Sequence, residues 1–421
     1  DTLFEKVEIA GPGFLNFYLS QRYYSEIVKD VINKGDAYGA SDYGNGKKVL
    51  VEFVSANPTG PMHIGNARGG AIGDCLAAVL EKAGYNVSRE FYVNDAGNQI
   101  EKFATSLEVR YLQLYKDGIE IPEDAYKGAD IIEHAKNFAA EYGDRFVEAS
   151  SEERRKALVD FALPKNIAGL ERDLLQYRIK YDNWFKESTL HADGSVAKII
   201  EKFKELGVTY EQDGALWFKA SEFGNDKDVV LIRANGIPTY IVPDIAYHYN
   251  KLVTRGYDKA VDVLGADHHG YVPRMKAALS ALGIDENRLD CVIMQMVRLV
   301  RDGETIKLSK RSGKAITLTT LLDEIPIDAA RFFFNLREPN SHFDFDLDLA
   351  AQETSQNPVY YVQYAHARIC SIIKKAENSG VTLRTPTDAE LDLLTSAEET
   401  ELIRHLSSLT DEVITAAKTY D

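Results

Sequence analysis

The sequence has few cysteines, no long apolar run and no excess of basic residues. Its three cysteines among 421 residues stand far apart and form no C-x-x-C pair, which argues against a disulfide framework or a zinc site and favours a reducing compartment. No stretch is apolar enough to span a bilayer and no signal peptide is recognisable, so a cytoplasmic location away from membranes is expected. The formal net charge of −16 argues against a general affinity for nucleic acid.

One segment is basic although the chain as a whole has a negative net charge. Between residues 298 and 314, six basic residues stand against two acidic ones. A local positive patch on an acidic body can still bind a polyanion selectively. The length suffices for two or three domains. The chain begins with Asp1 and not with Met, which predicts a fragment or a processed form.

The hydrophobic pattern from residue 49 onward predicts a β–α–β unit. An apolar strand at 49–54 precedes a helix after Gly65, which ends at Gly84, and a second strand follows at 87–93. Such a unit predicts parallel strands in one sheet. The other predicted elements are a strand ending at Leu19, a helix at 21–35, a mainly helical insertion at 98–220, strands at 229–232, 260–264 and 291–300 that continue the sheet, helices at 244–255 and 271–282, and helices only from Asn357 onward.

Residues 57–66, NPTGPMHIGN, lie at the predicted strand-to-helix turn, which is where parallel α/β sheets bind nucleotides. Gly60 and Pro61 favour a tight turn, and Gly65 lets a flat group approach the backbone. The helix N-terminus offers unpaired N–H groups to a phosphate. His63 is placed to contact an α-phosphate, and the alternative is a histidine that only caps or packs the helix.

Residues 307–314, KLSKRSGK, form a basic loop after the last predicted strand. Asp302-Gly303 predicts a tight turn before the loop, and Gly303 and Gly313 would permit the loop to close. Lysines held over a pyrophosphate leaving group would neutralise charge that develops in the transition state. A basic loop alone is common on solvated surfaces, so the loop indicates a phosphate-binding function only in combination with the first motif.

Together these motifs resemble the H-I-G-H and K-M-S-K-S signatures of class I aminoacyl-tRNA synthetases. Two positions depart from the signatures: Asn66 stands where the first has its last histidine, and Leu308 stands where the second has methionine. Asn66 retains a hydrogen-bond donor. Further similarity to the bacterial arginyl-tRNA synthetases runs over nearly the whole chain and is clearest at residues 51–61, 92–99, 264–270 and 357–368.

The resemblance implies an α/β fold with a Rossmann-like parallel-sheet nucleotide-binding core, helical insertions and a partial all-α anticodon-binding domain. It implies an arginine–tRNA ligase that forms arginyl-adenylate and pyrophosphate from L-arginine and ATP, with Mg²⁺, and then transfers arginine to the terminal ribose of tRNA(Arg). It also implies a need for tRNA in efficient activation, and a monomer is expected. The implied domains are an N-terminal tRNA-binding remnant at 1–20, a catalytic domain at 21–352 and a truncated anticodon-binding domain at 353–421.

Arginine as the substrate fits the residue types. Glu52 is the only charge within an apolar strand, and a buried acid is costly unless a cation pairs with it. A guanidinium in turn favours carboxylates. The resemblance places Glu52, Ser55, Asn57, Tyr240, Asp244 and Asp267 in the arginine pocket. The residues alone leave Tyr240 equally open as a strand-end tyrosine and Asp244 as a helix N-cap.

The resemblance also assigns the residues that handle ATP. Adjacent histidines at 268 and 269 cannot easily share one metal ion, so they are interpreted as ATP-side or structural residues and no metal site is predicted. The residues implied for catalysis are His63, Asn66, Lys307 and Lys310. The residues implied for ATP binding are Gly60, Pro61, His63, Gly65, Asn66, His268, His269, Lys307, Ser309 and Lys310.

Two other functions remain open from the sequence. One is a tRNA-independent adenylating ligase on the same fold, against which the extended segment at 357–368 argues, because such a ligase needs no anticodon reader. The other is a non-catalytic paralogue that binds only RNA or a partner. The intact Lys307 and Lys310 argue against that hypothesis.

Overall fold

The computed structural model describes residues 3–306 and 316–421. In that part of the chain the strands are β1 Phe4–Ala10, β2 Phe14–Leu19, β3 Lys48–Glu52, β4 Asn86–Val93, β5 Asn183–Lys186, β6 Thr209–Gln212, β7 Ala215–Phe218, β8 Val229–Ile232, β9 Lys259–Gly265, β10 Leu289–Met294, β11 Val297–Arg301, β12 Glu304–Thr305 and β13 Phe343–Asp346.

Helices connect most of these strands and make up the C-terminal part of the chain. They are α1 Gln21–Lys34, α2 Ile64–Lys82, α3 Asn98–Leu112, α4 Ala129–Tyr142, α5 Ser151–Gln176, α6 Glu187–Ala192, α7 Ser195–Glu205, α8 Ile241–Tyr249, α9 Tyr271–Ala281, α10 Leu318–Glu324, α11 Ile327–Phe334, α12 Leu347–Ala351, α13 Pro358–Asn378, α14 Asp388–Leu391, α15 Ala397–Ser407 and α16 Leu409–Thr419.

The central sheet has the strand order β10–β9–β3–β4–β5. β9 pairs in parallel with both β10 and β3, and β4 pairs in parallel with β5. Helix α2 connects the neighbouring strands β3 and β4, which confirms the predicted β–α–β unit. Gly84 follows α2 with φ of +90°, a conformation that glycine adopts without steric cost. Helices α8 and α9 bury Ile245 and Met275 in one apolar cluster with Ala260 of β9.

The structure corrects three predictions about the sheet. The predicted strand at 229–232 is β8, which pairs with β7 in a small antiparallel sheet and does not continue the central one. The predicted strand at 291–300 is two strands, because the chain leaves the central sheet at Gln295, whose backbone N–H donates to Pro339 O. Part of the insertion at 98–220 belongs to the central sheet, since its residues 183–186 form the edge strand β5.

The segment from β11 to β13 forms a second small sheet. β11 pairs in parallel with β13 and in an antiparallel manner with β12. Arg301 faces Glu304 across a two-residue turn in which Asp302 and Gly303 both have positive φ, so the predicted tight turn is confirmed. This turn leads to Ile306, the last described residue before the basic loop.

The chain divides into two compact units. One comprises residues 47–77 and 87–360, and the other comprises residues 1–46, 78–86 and 361–421. In the second unit α1 packs on the C-terminal helices, where Gln21 Nε2 donates to Leu394 O at 2.9 Å. This grouping differs from the boundaries at 21 and 353 that the sequence suggests, and the three-domain division stays a prediction. No helix in residues 3–306 and 316–421 has the length and apolarity needed to cross a bilayer.

Candidate active site

The predicted site residues cluster at the carboxyl ends of the parallel strands. Glu52 ends β3, and Asp267 follows β9 in a 3₁₀ turn at Ala266–His268. Directly after Glu52 the backbone is strained, with φ of +68° at Val54 and +41° at Ser55. A positive φ at a β-branched residue is costly and persists only where surrounding contacts impose it, which is common at functional sites.

The turn at residues 57–63, where the sequence predicts nucleotide binding, has an open face at the start of α2. A Cβ built on Gly65 would meet no atom within 4 Å, so a ligand can approach this backbone as the sequence suggests. The backbone N–H of His63 donates to Asn66 Oδ1 at 3.1 Å, which stabilises the first turn of the helix. Asn66 thereby caps the helix through its carbonyl oxygen and keeps its amide nitrogen as a donor. Gly60 lies against Asp130.

The chain returns from the basic loop beside His63. Ile64 N donates to Ile316 O at 3.2 Å, and Leu318 N donates to Met62 O at 3.0 Å. His63 and Thr317 thus form an antiparallel bridge. Residues 316–318, the first described after the basic loop, are therefore fixed beside the turn that contains His63. The predicted ATP-binding residues Lys307, Ser309 and Lys310 lie outside the described residues.

The helical insertion also contacts the nucleotide-binding turn. Asn166 Nδ2 of α5 donates to Pro58 O at 2.9 Å. His134 Nε2 of α4 lies 2.7 Å from Asn166 Oδ1 and fixes the orientation of the amide. Sequence analysis did not identify either residue. Both helices pack around Phe103 and Phe138 in a core of their own, so the insertion is a rigid support for the turn.

We expect Asn166→Ala to raise the KM for ATP about fivefold, because one hydrogen bond of roughly 1 kcal/mol no longer holds the turn. The affinity for arginine should change less than twofold. Steady-state kinetics with each substrate varied in turn measures both quantities. Asn287→Ala, on an exposed turn, is the matched control. Equal losses for both substrates would mean that Asn166 supports the fold and not the turn.

Glu52 has a cationic partner within the protein. It stands opposite Asp262 in the parallel register of β3 and β9, so two carboxylates lie side by side in the core. Lys251 bridges them, with Nζ at 2.5 Å from Glu52 Oε2 and 2.9 Å from Asp262 Oδ1. The Lys251 side chain is fully buried. Ser55 Oγ donates to the other Glu52 oxygen at 2.9 Å.

Electrostatics in this cluster are dominated by burial and by the ammonium group. Burial opposes ionisation of Asp262, but Lys251 and then His248 outweigh it and lower the pKa of Asp262 below its usual range. Burial also opposes the charge on Lys251, yet Asp262 and Glu52 raise the pKa of Lys251 above its usual value. Burial raises the pKa of Glu52 against the opposing pull of Lys251. Lys251 is therefore a permanent cation.

Asp244 is the acid of the cluster without such a partner. It lies in the first turn of α8, and Tyr240 occupies the N-cap position, so the interpretation of Asp244 as a helix N-cap is wrong. The pKa of Asp244 is raised to about 7, mainly by burial and also by the nearby carboxylates of Glu187 and Glu52, while His248 and Lys251 oppose the rise. Within the described part of the chain, no cationic side chain forms an ion pair with Asp244.

Several of the remaining predicted residues are exposed. Tyr240 is 58% exposed, with the Arg233 guanidinium 5.9 Å from its ring centroid. His268 Nδ1 lies 3.1 Å from Asp267 Oδ1. The structure thus brings Glu52, Ser55 and Asp244 together in one cluster. The predicted residues that lie at the surface are Asn57, Pro61, His63, Tyr240, Asp267, His268 and His269.

Sequence analysis missed His248, Lys251 and Asp262, although a signal for them is present. Asp244, His248 and Lys251 are spaced i, i+4 and i+7, which places them on one face of a helix. The helix does continue past α8 as a π-helical turn at Asn250–Thr254. Asp262 is the only acid of the apolar strand β9, just as Glu52 is the only acid of β3. What the sequence could not supply was the register that places the two acids opposite each other.

Two protein-family models match the chain. A family model for the catalytic domain of class I (R) tRNA synthetases matches residues 27–373, and one for the DALR anticodon-binding domain matches residues 362–421. The match over residues 27–373, together with the parallel central sheet and the following helical domain, defines the class of protein: the chain is a class I aminoacyl-tRNA synthetase.

Individual relatives identify the family. The arginine–tRNA ligase of Caldanaerobacter subterraneus is 58% identical over 418 residues, which cover 99% of this chain and 74% of the relative. That of Ruminiclostridium cellulolyticum is 54% identical over 422 residues, covering 100% of this chain and 75% of the relative. A crystal structure assigned as an arginyl-tRNA synthetase from Campylobacter jejuni superposes with a TM-score of 0.83 at 35% identity, covering 96% of this chain and 88% of the other. The chain belongs to the arginyl-tRNA synthetases and is an arginine–tRNA ligase.

Proposed function

We propose that the cluster around Asp244 binds the arginine side chain. The observation that carries this proposal is that Asp244 is a half-buried carboxylate whose pKa is raised by burial and with which no cationic side chain in the described part of the chain forms an ion pair. A bound guanidinium would supply that cation and offer planar donors to the carboxylate. Glu52 is already neutralised by Lys251, so its proposed role is to form the wall of the pocket with Ser55. Asn57, Tyr240 and Asp267 are proposed to line its exposed side.

ATP is proposed to bind at the open face of α2. Gly60, Pro61 and Gly65 would leave room for the nucleotide, while His63 and Asn66 would contact the α-phosphate region. The backbone bridge beside His63 supports a role for the basic loop, whose lysines 307 and 310 and Ser309 would hold the β- and γ-phosphates. His268 and His269 are proposed to lie on the ATP side. Mg²⁺ would be bound to the phosphates of ATP and would enter the site together with this substrate.

The reaction needs no covalent nucleophile on the protein. The arginine carboxylate would attack the α-phosphate in line and release pyrophosphate, and the tRNA terminal ribose would then attack the adenylate. Catalysis is then positioning and charge stabilisation. The helices from 353 onward are proposed to contact tRNA(Arg). We also propose that the chain acts as a monomer in the cytoplasm, which light scattering and cell fractionation would test; its three free thiols fit a reducing compartment.

A ligand panel tests the substrate assignment. Non-hydrolysable aminoacyl-adenylate analogues are added to the protein and the shift of the melting temperature is recorded, because a ligand that binds only the folded state stabilises it. Selective stabilisation by the arginyl analogue is expected. Selective stabilisation by the analogue of another amino acid would leave the assignment of the fold unchanged and overturn the proposed arginine pocket.

The affinity for arginine should depend on pH through Asp244. Its pKa of about 7 in the free protein would fall when the guanidinium binds, so binding below pH 7 must displace a proton. The Kd for arginine is then expected to rise about tenfold for each pH unit below 7 and to stay constant above it. Isothermal titration calorimetry between pH 5.5 and 9 measures this profile. A flat profile would contradict the proposed role.

His63→Ala should lower the rate of arginine-dependent ATP–pyrophosphate exchange about 10²-fold, measured with tRNA(Arg) present. The affinity for arginine should change less than threefold, because His63 is proposed to contact the phosphate and not the amino acid. His191→Ala, at the end of α6, is the matched control. A loss of arginine affinity equal to the loss of rate would instead assign His63 to the fold of the turn.

A further inference from the structure

His248 lies between two hydrogen-bond acceptors. Its Nδ1 is 2.8 Å from the backbone oxygen of Asp244, and its Nε2 is 2.7 Å from Asp262 Oδ2. The side chain is 2% exposed, so no bulk water competes for either nitrogen. The catalytic scheme above makes no use of this residue.

The two contacts determine the protonation state of the ring. A backbone carbonyl only accepts hydrogen bonds, and Asp262 beside Lys251 is an ionised carboxylate that also only accepts. A neutral imidazole has one N–H and one lone pair, so either tautomer would place a lone pair against an oxygen lone pair. The imidazolium donates from both nitrogens and satisfies both contacts.

A protonated His248 balances the charges of the cluster. Glu52 and Asp262 are negative, Lys251 and His248 are positive, and Asp244 remains as the additional carboxylate. The same ring holds the backbone of Asp244 through Nδ1, one helical turn away. The titratable and charged groups that face His248 and Asp244 are Asp262 and Lys251, Glu52 of β3, Glu187 of α6, Tyr92 of β4, Tyr247 of α8 and Tyr271 of α9.

We propose that His248 donates a hydrogen bond from both ring nitrogens and is a positioning residue that holds Asp244 in place and, through its positive charge, keeps it ionised for the arginine side chain. This inference rests on the proposed function of Asp244. Without the positive charge of His248, Asp244 would take up a proton more readily at neutral pH. Arginine would then have to displace that proton, and its affinity would fall only where the proton is bound.

Two measurements test the proposal on the full chain. In the first, ¹⁵N-labelled histidine is observed by long-range ¹H–¹⁵N correlation between pH 6 and 9, with the His248 signals assigned by their loss in His248→Gln. At pH 7.5 both ring nitrogens are expected to have the shifts of protonated nitrogens. The widely separated shifts of a neutral tautomer at pH 7.5 would overturn the proposal. If His248→Gln folds poorly, His248→Asn supplies the assignment, and the protonation state is still read from the unaltered protein.

In the second, the Kd for arginine of His248→Gln is measured from pH 6 to 9.5. The pH below which affinity falls should move up by about one unit, which weakens binding about fivefold at pH 7 and leaves it nearly unchanged at pH 9.5. A loss of equal size at every pH would show a purely structural role and overturn the proposal. Asp244→Asn separates the two hypotheses: if it binds arginine with the affinity and pH profile of the unaltered chain, the proposed pocket itself is wrong. If Asp244→Asn removes the pH dependence but His248→Gln leaves it unmoved, only the inference about His248 fails.

Discussion

Asp244→Asn is expected to weaken arginine binding by about 10²- to 10³-fold and at the same time to stabilise the ligand-free protein. The first effect follows because removing one partner of a buried, hydrogen-bonded charge pair costs about 2–5 kcal/mol. The second follows from the raised pKa of about 7. A carboxyl group whose pKa is higher in the folded than in the unfolded state stabilises the fold at low pH, and that stabilisation is lost as the pH rises from about 3.8 to about 7.

Asparagine has no charge to bury, so the variant should melt several degrees above the unaltered protein at pH 8 and at nearly the same temperature at pH 4. Calorimetric titration and thermal melting at the two pH values measure both effects. Asp173→Asn is the matched control, because burial raises the pKa of Asp173 as well, on the distant helix α5. It should gain stability and bind arginine normally. An Asp244→Asn protein that loses both affinity and stability would place Asp244 in the structural framework.

The local elements of the catalytic core could be predicted from the sequence because their signals are local. The apolar spacing after Gly65 and the cap at Gly84 define α2, and the Asp302-Gly303 pair defines the hairpin between β11 and β12. These features depend on residues within one or two turns of each other. The same local signals predicted the helix at 271–282, observed as α9.

The assignment of strands to sheets could not be predicted in this way, because it depends on pairing over long sequence distances. β5 pairs with β4 across the three helices α3 to α5, and nothing in the four residues Asn183–Lys186 indicates that partner. β8 has the composition of a buried strand of a parallel sheet and pairs instead with the nearby strand β7. The composition of a short apolar strand indicates that the strand is buried, but it does not indicate which strand it pairs with.

The same limit applies to the site. A lone acid in an apolar strand correctly indicated that Glu52 needs a cation, but the cation is Lys251, two hundred residues away along the chain and brought near by the register of β3 on β9. Once that register is known, the unpartnered acid is Asp244. The resemblance to a family supplied Asp244 as a candidate, and the structure supplied the physical reason.

Lys251→Met is expected to destabilise the fold by about 3–5 kcal/mol at pH 8, because it leaves Glu52 and Asp262 side by side without their shared cation. At least one of the two acids should then take up a proton, with a pKa in the folded state above its value in the unfolded chain. An acid whose pKa is higher in the folded than in the unfolded state stabilises the fold only while it is protonated. The variant is therefore least impaired near pH 5 and loses stability as the pH rises. Urea denaturation at pH 5 and pH 8 measures the difference.

The contrast with a neighbouring lysine shows what burial contributes. Lys259 on β9 pairs with Asp290 at 2.5 Å, but its side chain is 36% exposed, and Lys259→Met should cost less than 1 kcal/mol at either pH, as exposed pairs do. Adding Glu52→Gln to Lys251→Met removes one of the two facing carboxylates, so the double variant should recover part of the loss at pH 8 and little at pH 5. A Lys251→Met deficit that is no larger than that of Lys259→Met, or that is the same at both pH values, would mean that the two acids do not depend on Lys251 for their charge. Lys251 would then have no role in the pocket, and the negative charge assigned to Asp244 would have to be shared among Glu52, Asp262 and Asp244.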